Sequence, residues 1–133
     1  MAFSKNDIIK VNHSLYAHYG VYVDGGKVIH YTDDNGRKSD FKGRIQETSL
    51  EIFLNGAKSY SVVEFTGSVY SPEETVRRAR SKIGQEDYNF FSHNCEHFAF
   101  WCKTGIEESS QVSNYKPSRI FDGIFSFMTG GEF

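Results

Sequence analysis

Cysteine is scarce in this sequence: 133 residues contain two, Cys95 and Cys102. On one helix they would share a face but lie roughly 10 Å apart along the axis, too far for a disulfide. No disulfide framework is available, so a reducing, cytoplasmic setting is expected. A basic excess is also lacking, with 15 Lys and Arg against 17 Asp and Glu. Nucleic-acid binding, which draws on a strong positive field, is therefore not expected. No apolar run approaches the roughly 18 to 20 residues of a membrane span. Residues 1–5 (MAFSK) have no apolar segment or cleavage pattern of a signal peptide. Repeats and low-complexity tracts are absent.

Aromatic residues are abundant instead, with 12 Phe and 8 Tyr. They can build a core in a chain long enough for one domain, or line an apolar groove. Residues 7–11 (DIIKV) read as a short strand. Residues 15–23 (LYAHYGVYV) and 27–32 (KVIHYT) are rich in β-branched and aromatic residues and flank Asp24-Gly25-Gly26, a hairpin signal.

The hairpin register matters for function. A three-residue loop, Asp24 to Gly26, pairs Val23 with Lys27, Tyr22 with Val28, Gly20 with His30 and His18 with Thr32. His18 and His30 then share a face as diagonal neighbours, about 7–8 Å apart. A two-residue loop would throw them onto opposite faces. Gly20 would leave space beside the imidazole of His30.

Residues 33–44 read as a polar loop and 45–70 as further strands, clearest at Ser61–Phe65. Ser71-Pro72-Glu73-Glu74 supplies a helix N-cap, a proline at the first helical position and a capping-box glutamate. That helix is predicted to end near Gly84, with Arg77, Arg78 and Arg80 on a solvated face. A second helix is predicted from Asn94 to Lys103, ending at Gly105 and burying Phe98, Trp101 and Cys102. The Phe-rich tail, residues 117–133, has amphipathic spacing. It reads first as a helix on the core and second as a contact with a membrane surface or partner.

A cysteine in the first turn of a helix sits in a particular chemical setting. Unpaired N–H groups and the helix dipole favour the thiolate, and the same groups can hold an oxyanion. Asn94-Cys95-Glu96-His97 places Cys95 there if Asn94 is the cap. Two histidines packed against this helix start would supply a base and an orienting group. His97 is about 200° around the helix from the thiol and reads as a structural residue. His93-x-Cys95-x-His97 has no recognised zinc spacing, so neither metal nor cofactor is expected.

The stretch from Asp7-Ile8-Ile9 through Tyr16-Ala17-His18-Tyr19-Gly20-Val21-Tyr22 to Val28-Ile29-His30 resembles the H-box of the lecithin:retinol acyltransferase-like family. The Ser71 helix and Asn94-Cys95-Glu96-His97-Phe98 resemble that family's helix and NC motif, so the likeness runs from about residue 7 to 112. It implies an α+β, circularly permuted papain-like fold of NlpC type, with an antiparallel sheet packed on the nucleophile's helix. It divides the chain into a catalytic domain, 1–116, and the tail, 117–133. By position it makes Cys95 the nucleophile, His18 the general base and His30 the third polar group. Tyr16 matches a tyrosine that can lend its hydroxyl near the oxyanion, and Asn94 matches the NC asparagine. The implied activity is that of the phospholipase and acyltransferase branch. A phospholipid acyl group is taken up as a thioester and passed to water or to an amine or alcohol. Where that branch commonly carries a hydrophobic C-terminal anchor, this sequence has the Phe-rich tail.

Two other readings use the same residues. One is a peptidase or amidase, as the wider papain-like superfamily allows. The other is a non-catalytic interaction module like those of certain picornaviruses, which keep the H-box and NC motif.

Overall fold

The computed structural model describes residues 4–12, 17–32, 43–57, 59–65, 67–86, 93–106 and 115–122, the last stretch and residues 93 and 94 as backbone. Six strands form one antiparallel sheet: β1 (Ile8–Asn12), β2 (Ala17–Val23), β3 (Lys27–Thr32), β4 (Arg44–Ser49), β5 (Ser59–Phe65) and β6 (Tyr115–Asp122). Their order across the sheet is β4-β3-β2-β1-β5-β6. Helix α1 (Leu50–Leu54) carries the chain from β4 at the edge to β5, and α2 (Pro72–Ser81) and α3 (His93–Thr104) lie between β5 and β6. The α+β class and antiparallel sheet agree with the sequence expectation.

The β2–β3 hairpin has the expected register, with Val23 opposite Lys27, Tyr22 opposite Val28 and Gly20 opposite His30. Gly25 and Gly26 sit at φ 79° and 73°, a region open to glycine at no steric cost. The expected His18–Thr32 pair does not form, because the β2–β3 ladder stops at Gly20–His30. β2 stays on β1 as far as Ala17, and β3 stays on β4 as far as Thr32. The two strands therefore part beyond Gly20 and His30.

Alternation along the strands gives two core layers. One face carries Ile8, Tyr19, Val21, Ile29 and Tyr31, packed against Ala79 of α2 and Phe98, Ala99 and Phe100 of α3. The other carries Ile9, Val11, Tyr22 and Val28, covered by Leu50, Phe53 and Leu54 of α1. Full burial of such aromatic and aliphatic side chains stabilises by about 1.5–3 kcal/mol each before entropy is set against it.

Helix α2 starts as its sequence signals. Ser71 Oγ accepts from the Glu74 N–H at 3.1 Å, with Pro72 leading the helix. The Glu74 carboxylate, however, turns to Arg77 rather than back to the cap. The helix ends at Ser81 and is capped by Lys82, two residues before Gly84, whose N–H donates to the Ile45 carbonyl at 2.8 Å. Arg78 does not share the solvated face with Arg77 and Arg80. Its guanidinium is stacked 3.8 Å from the Trp101 ring centroid and 4.5 Å from that of Tyr70, and its Nε–H donates to the Trp101 carbonyl. Stacking and that bond draw the long side chain onto the α2–α3 seam.

Two further expectations are corrected. Residues 50–54, read as part of a strand region, form α1, capped by Ser49 Oγ at the Ile52 N–H and ended by Asn55 at φ 48°. Residues 117–122, read as the start of an amphipathic helix, lie in β6, paired with β5. A short isolated helix is marginal in water because its nucleation is costly, whereas β5 offers these residues a strand to pair with. The division expected at residue 116 thus falls inside a strand, and residues 123–133 lie outside the described residues. Among the described residues no helix is long and apolar enough to cross a membrane.

Candidate active site

Helix α3 begins at His93, so Cys95 is its third residue and lies in the first turn. The backbone N–H groups there have no intrahelical partner, and the positive end of the dipole favours a thiolate. Asn94 is the second helical residue rather than the cap. Its side chain, Tyr16 and His13 lie outside the described residues.

Cys95 Sγ lies 3.4 Å from His18 Nδ1. His18 Nε2 lies 3.0 Å from His30 Nδ1, and His30 Nε2 lies 2.8 Å from Thr48 Oγ1. The Thr48 hydroxyl donates to the Ser49 carbonyl at 3.0 Å. The three residues singled out from sequence are thus brought into one hydrogen-bonded line, and Thr48 extends it.

The line crosses the sheet. Cys95 belongs to the core layer of α2 and α3. His18 and His30 project to the other face, where Phe53 of α1 packs 5.1 Å and 4.9 Å from their ring centroids. Sequence reasoning set both histidines on the face opposed to the α3 N-terminus; the structure sets them on the α1 face. His18 lies beyond the last rung of the β2–β3 ladder, Gly20–His30, and it is there that the thiol meets its imidazole.

Burial governs the electrostatics. Cys95 and His30 have no exposed surface and His18 is 2% exposed. Burial pushes His30 down from 6.5 to about 3, so its ring stays neutral near pH 7. A neutral imidazole has one donor and one acceptor nitrogen, the pair a relay requires. Tyr31 is raised, first by burial and then by its electrostatic interaction with Cys95 and Glu86, so its phenol stays protonated in electrostatic reach of the thiol. Burial pushes the Cys102 thiol far up, and this second cysteine is a core residue. Among the described residues no group of three His, Cys, Asp or Glu could hold a metal ion.

Gly20 shapes the site sterically. A Cβ there would come within 2.5 Å of Val28 Cγ1 and 2.7 Å of Phe53 Cε1. Glycine lets Phe53 press onto the strand between the two histidines. Sequence reasoning placed Gly20 beside His30 but missed Phe53 and Thr48. Ser49 and Asn55-Gly56, good cap residues at both ends of a five-residue segment, were the signal for α1.

A family model described as lecithin retinol acyltransferase matches residues 2–108. The chain is 25% identical over 139 residues to mouse lecithin retinol acyltransferase, covering 86% of this chain and 60% of that protein. It is 29% identical over 124 residues to human phospholipase A and acyltransferase 2, covering 80% of this chain and 74% of that protein. Human phospholipase A and acyltransferase 3 matches at 29% over 119 residues, with the same coverage. The chain thus spans less than two thirds of the length of the lecithin retinol acyltransferase it matches.

Proposed function

This chain belongs to the lecithin retinol acyltransferase family, and from that premise we propose that it is a phospholipase A-type hydrolase and acyltransferase with Cys95 as nucleophile. The observation that carries the reading is the 3.4 Å contact between Cys95 Sγ and His18 Nδ1 at a helix N-terminus. The permuted papain-like architecture implied by the H-box and NC motif is part of the same reading.

In the first half-reaction His18 Nδ1 takes the thiol proton, and the sulfur attacks the ester carbonyl carbon of a phospholipid. A C–S bond forms, and the carbonyl oxygen becomes an oxyanion near the backbone N–H groups of the first turn of α3. Collapse breaks the C–O bond, and His18 returns the proton to the departing lysophospholipid oxygen. In the second half-reaction water, an amine or an alcohol gives its proton to His18 and attacks the thioester. The acyl group leaves with the acceptor, and the thiol regains its proton. His30 holds the His18 ring in register and, being neutral, accepts from the imidazolium that forms.

The test is intact-protein mass after incubation with mixed phospholipids. A fatty-acyl mass increase on the wild type, absent from Cys95→Ala, is expected. No adduct and no release of fatty acid from any phospholipid would overturn the proposal. A peptidyl adduct from peptide substrates would place the chain with peptidases instead.

A further inference from the structure

The relay behind the thiol has a direction, and one residue outside the three-residue set determines it. We propose that Thr48 is a positioning residue whose hydroxyl fixes the tautomers of His30 and His18, so that a bare Nδ1 of His18 faces Cys95. This rests on the thiol reading above and adds to it the group that keeps the base in its working form.

The Ser49 carbonyl can only accept a hydrogen bond, and Thr48 Oγ1 lies 3.0 Å from it. The single hydroxyl proton of Thr48 is therefore used there. Toward His30 Nε2, at 2.8 Å, Thr48 offers a lone pair, so His30 carries its proton on Nε2. His30 Nδ1 is then an acceptor, and His18 Nε2, 3.0 Å away, must donate to it. A neutral His18 protonated on Nε2 has a bare Nδ1, the atom 3.4 Å from Cys95 Sγ. The proton on one ring nitrogen is set by the hydrogen bond of the other, twice in succession.

The polarity serves both states of the base. When His18 takes the thiol proton, both its nitrogens become donors, and His30 Nδ1 must still accept. With the opposite polarity His30 would present N–H to N–H, in a site with no water-exposed surface on His30. The anchor is itself rigid. Thr48 pairs with Val28 in the β3–β4 ladder, and Ser49 caps α1, the helix that brings Phe53 against both rings. His30, paired with Gln46 two residues away, meets Thr48 as its diagonal neighbour on the same face.

The experiment compares wild type, Thr48→Val and Thr48→Ser, each labelled with ¹⁵N-histidine. Long-range ¹H–¹⁵N correlation spectra read the tautomers, and iodoacetamide with peptide mapping reads the Cys95 alkylation rate at pH 7. In the wild type both His18 and His30 are expected as Nε2–H tautomers. In Thr48→Val, His30 is expected to divide between tautomers and alkylation to slow by about tenfold, the scale of one lost hydrogen bond. Thr48→Ser restores both. A folded Thr48→Val with unchanged tautomers and rate overturns the proposal, and so does a wild-type His30 protonated on Nδ1. The wild-type spectrum decides the matter even where Thr48→Val fails to fold. No readout uses lipid. Correct tautomers with no acyl adduct would sink the acyl-transfer reading and leave the relay's direction standing.

Discussion

Cys95 and His18 are 3.4 Å apart although their side chains belong to opposite layers of the protein. The thiol is packed with the α3 layer, and the imidazole lies against Phe53 of α1. The contact lies beyond the Gly20–His30 pair, the last rung of the β2–β3 ladder.

Removing the base tests that contact directly. His18→Asn is expected to lower acyl-enzyme formation from an activated ester by about 10²–10⁴-fold, the usual contribution of a positioned general base. Stopped-flow detection of the released alcohol would measure it. A loss of less than threefold would mean that another group takes the thiol proton.

Gly20→Ala is expected to destabilise by about 1–3 kcal/mol, because the new methyl would meet Val28 and Phe53 at 2.5 and 2.7 Å. Urea unfolding measures the stability. Cys95 alkylation, run alongside, is expected to slow as Phe53 shifts against the histidines.

Phe53 is fully buried and contacts both imidazoles. Phe53→Ala leaves a cavity and is expected to cost about 3–5 kcal/mol, a large part of a small domain's stability. Thermal unfolding by circular dichroism would show it as a marked drop in Tm. A drop no larger than that of a surface substitution would contradict the packing of α1 on the relay.

His30 makes the fold acid-sensitive. Its ring is held at about 3 when folded, against 6.5 for the free side chain. Between these values the unfolded chain binds a proton that the folded ring refuses, so stability falls as pH drops. The slope from this group approaches about 1.4 kcal/mol per pH unit. Urea midpoints from pH 7 to pH 4 are expected to fall more steeply for the wild type than for His30→Asn. Parallel curves would show that His30 does not carry the effect.

The local sequence determined much of this protein. Turn chemistry at Asp24-Gly25-Gly26 set the hairpin register, and with it which residues share a face with His18 and His30. Ser71 and Pro72 announced α2, and Asn94-Cys95 marked the start of a helix suited to a thiolate. Each signal acts between residues a few positions apart, where dihedral preferences and capping bonds are decided. Tertiary structure decided the rest. Arg78 left the solvated face for Trp101, and residues 117–122 became a strand because β5 had a free edge. The packing of α1 on both histidines and the contact of His30 with Thr48 depend on β4 and α1 folding back over β3, and the approach of Cys95 to His18 depends on α3 packing on the sheet. Those contacts join segments 18 to 77 residues apart in the chain. Turn and cap preferences set no distance between such segments; the packing of the two layers on the sheet does.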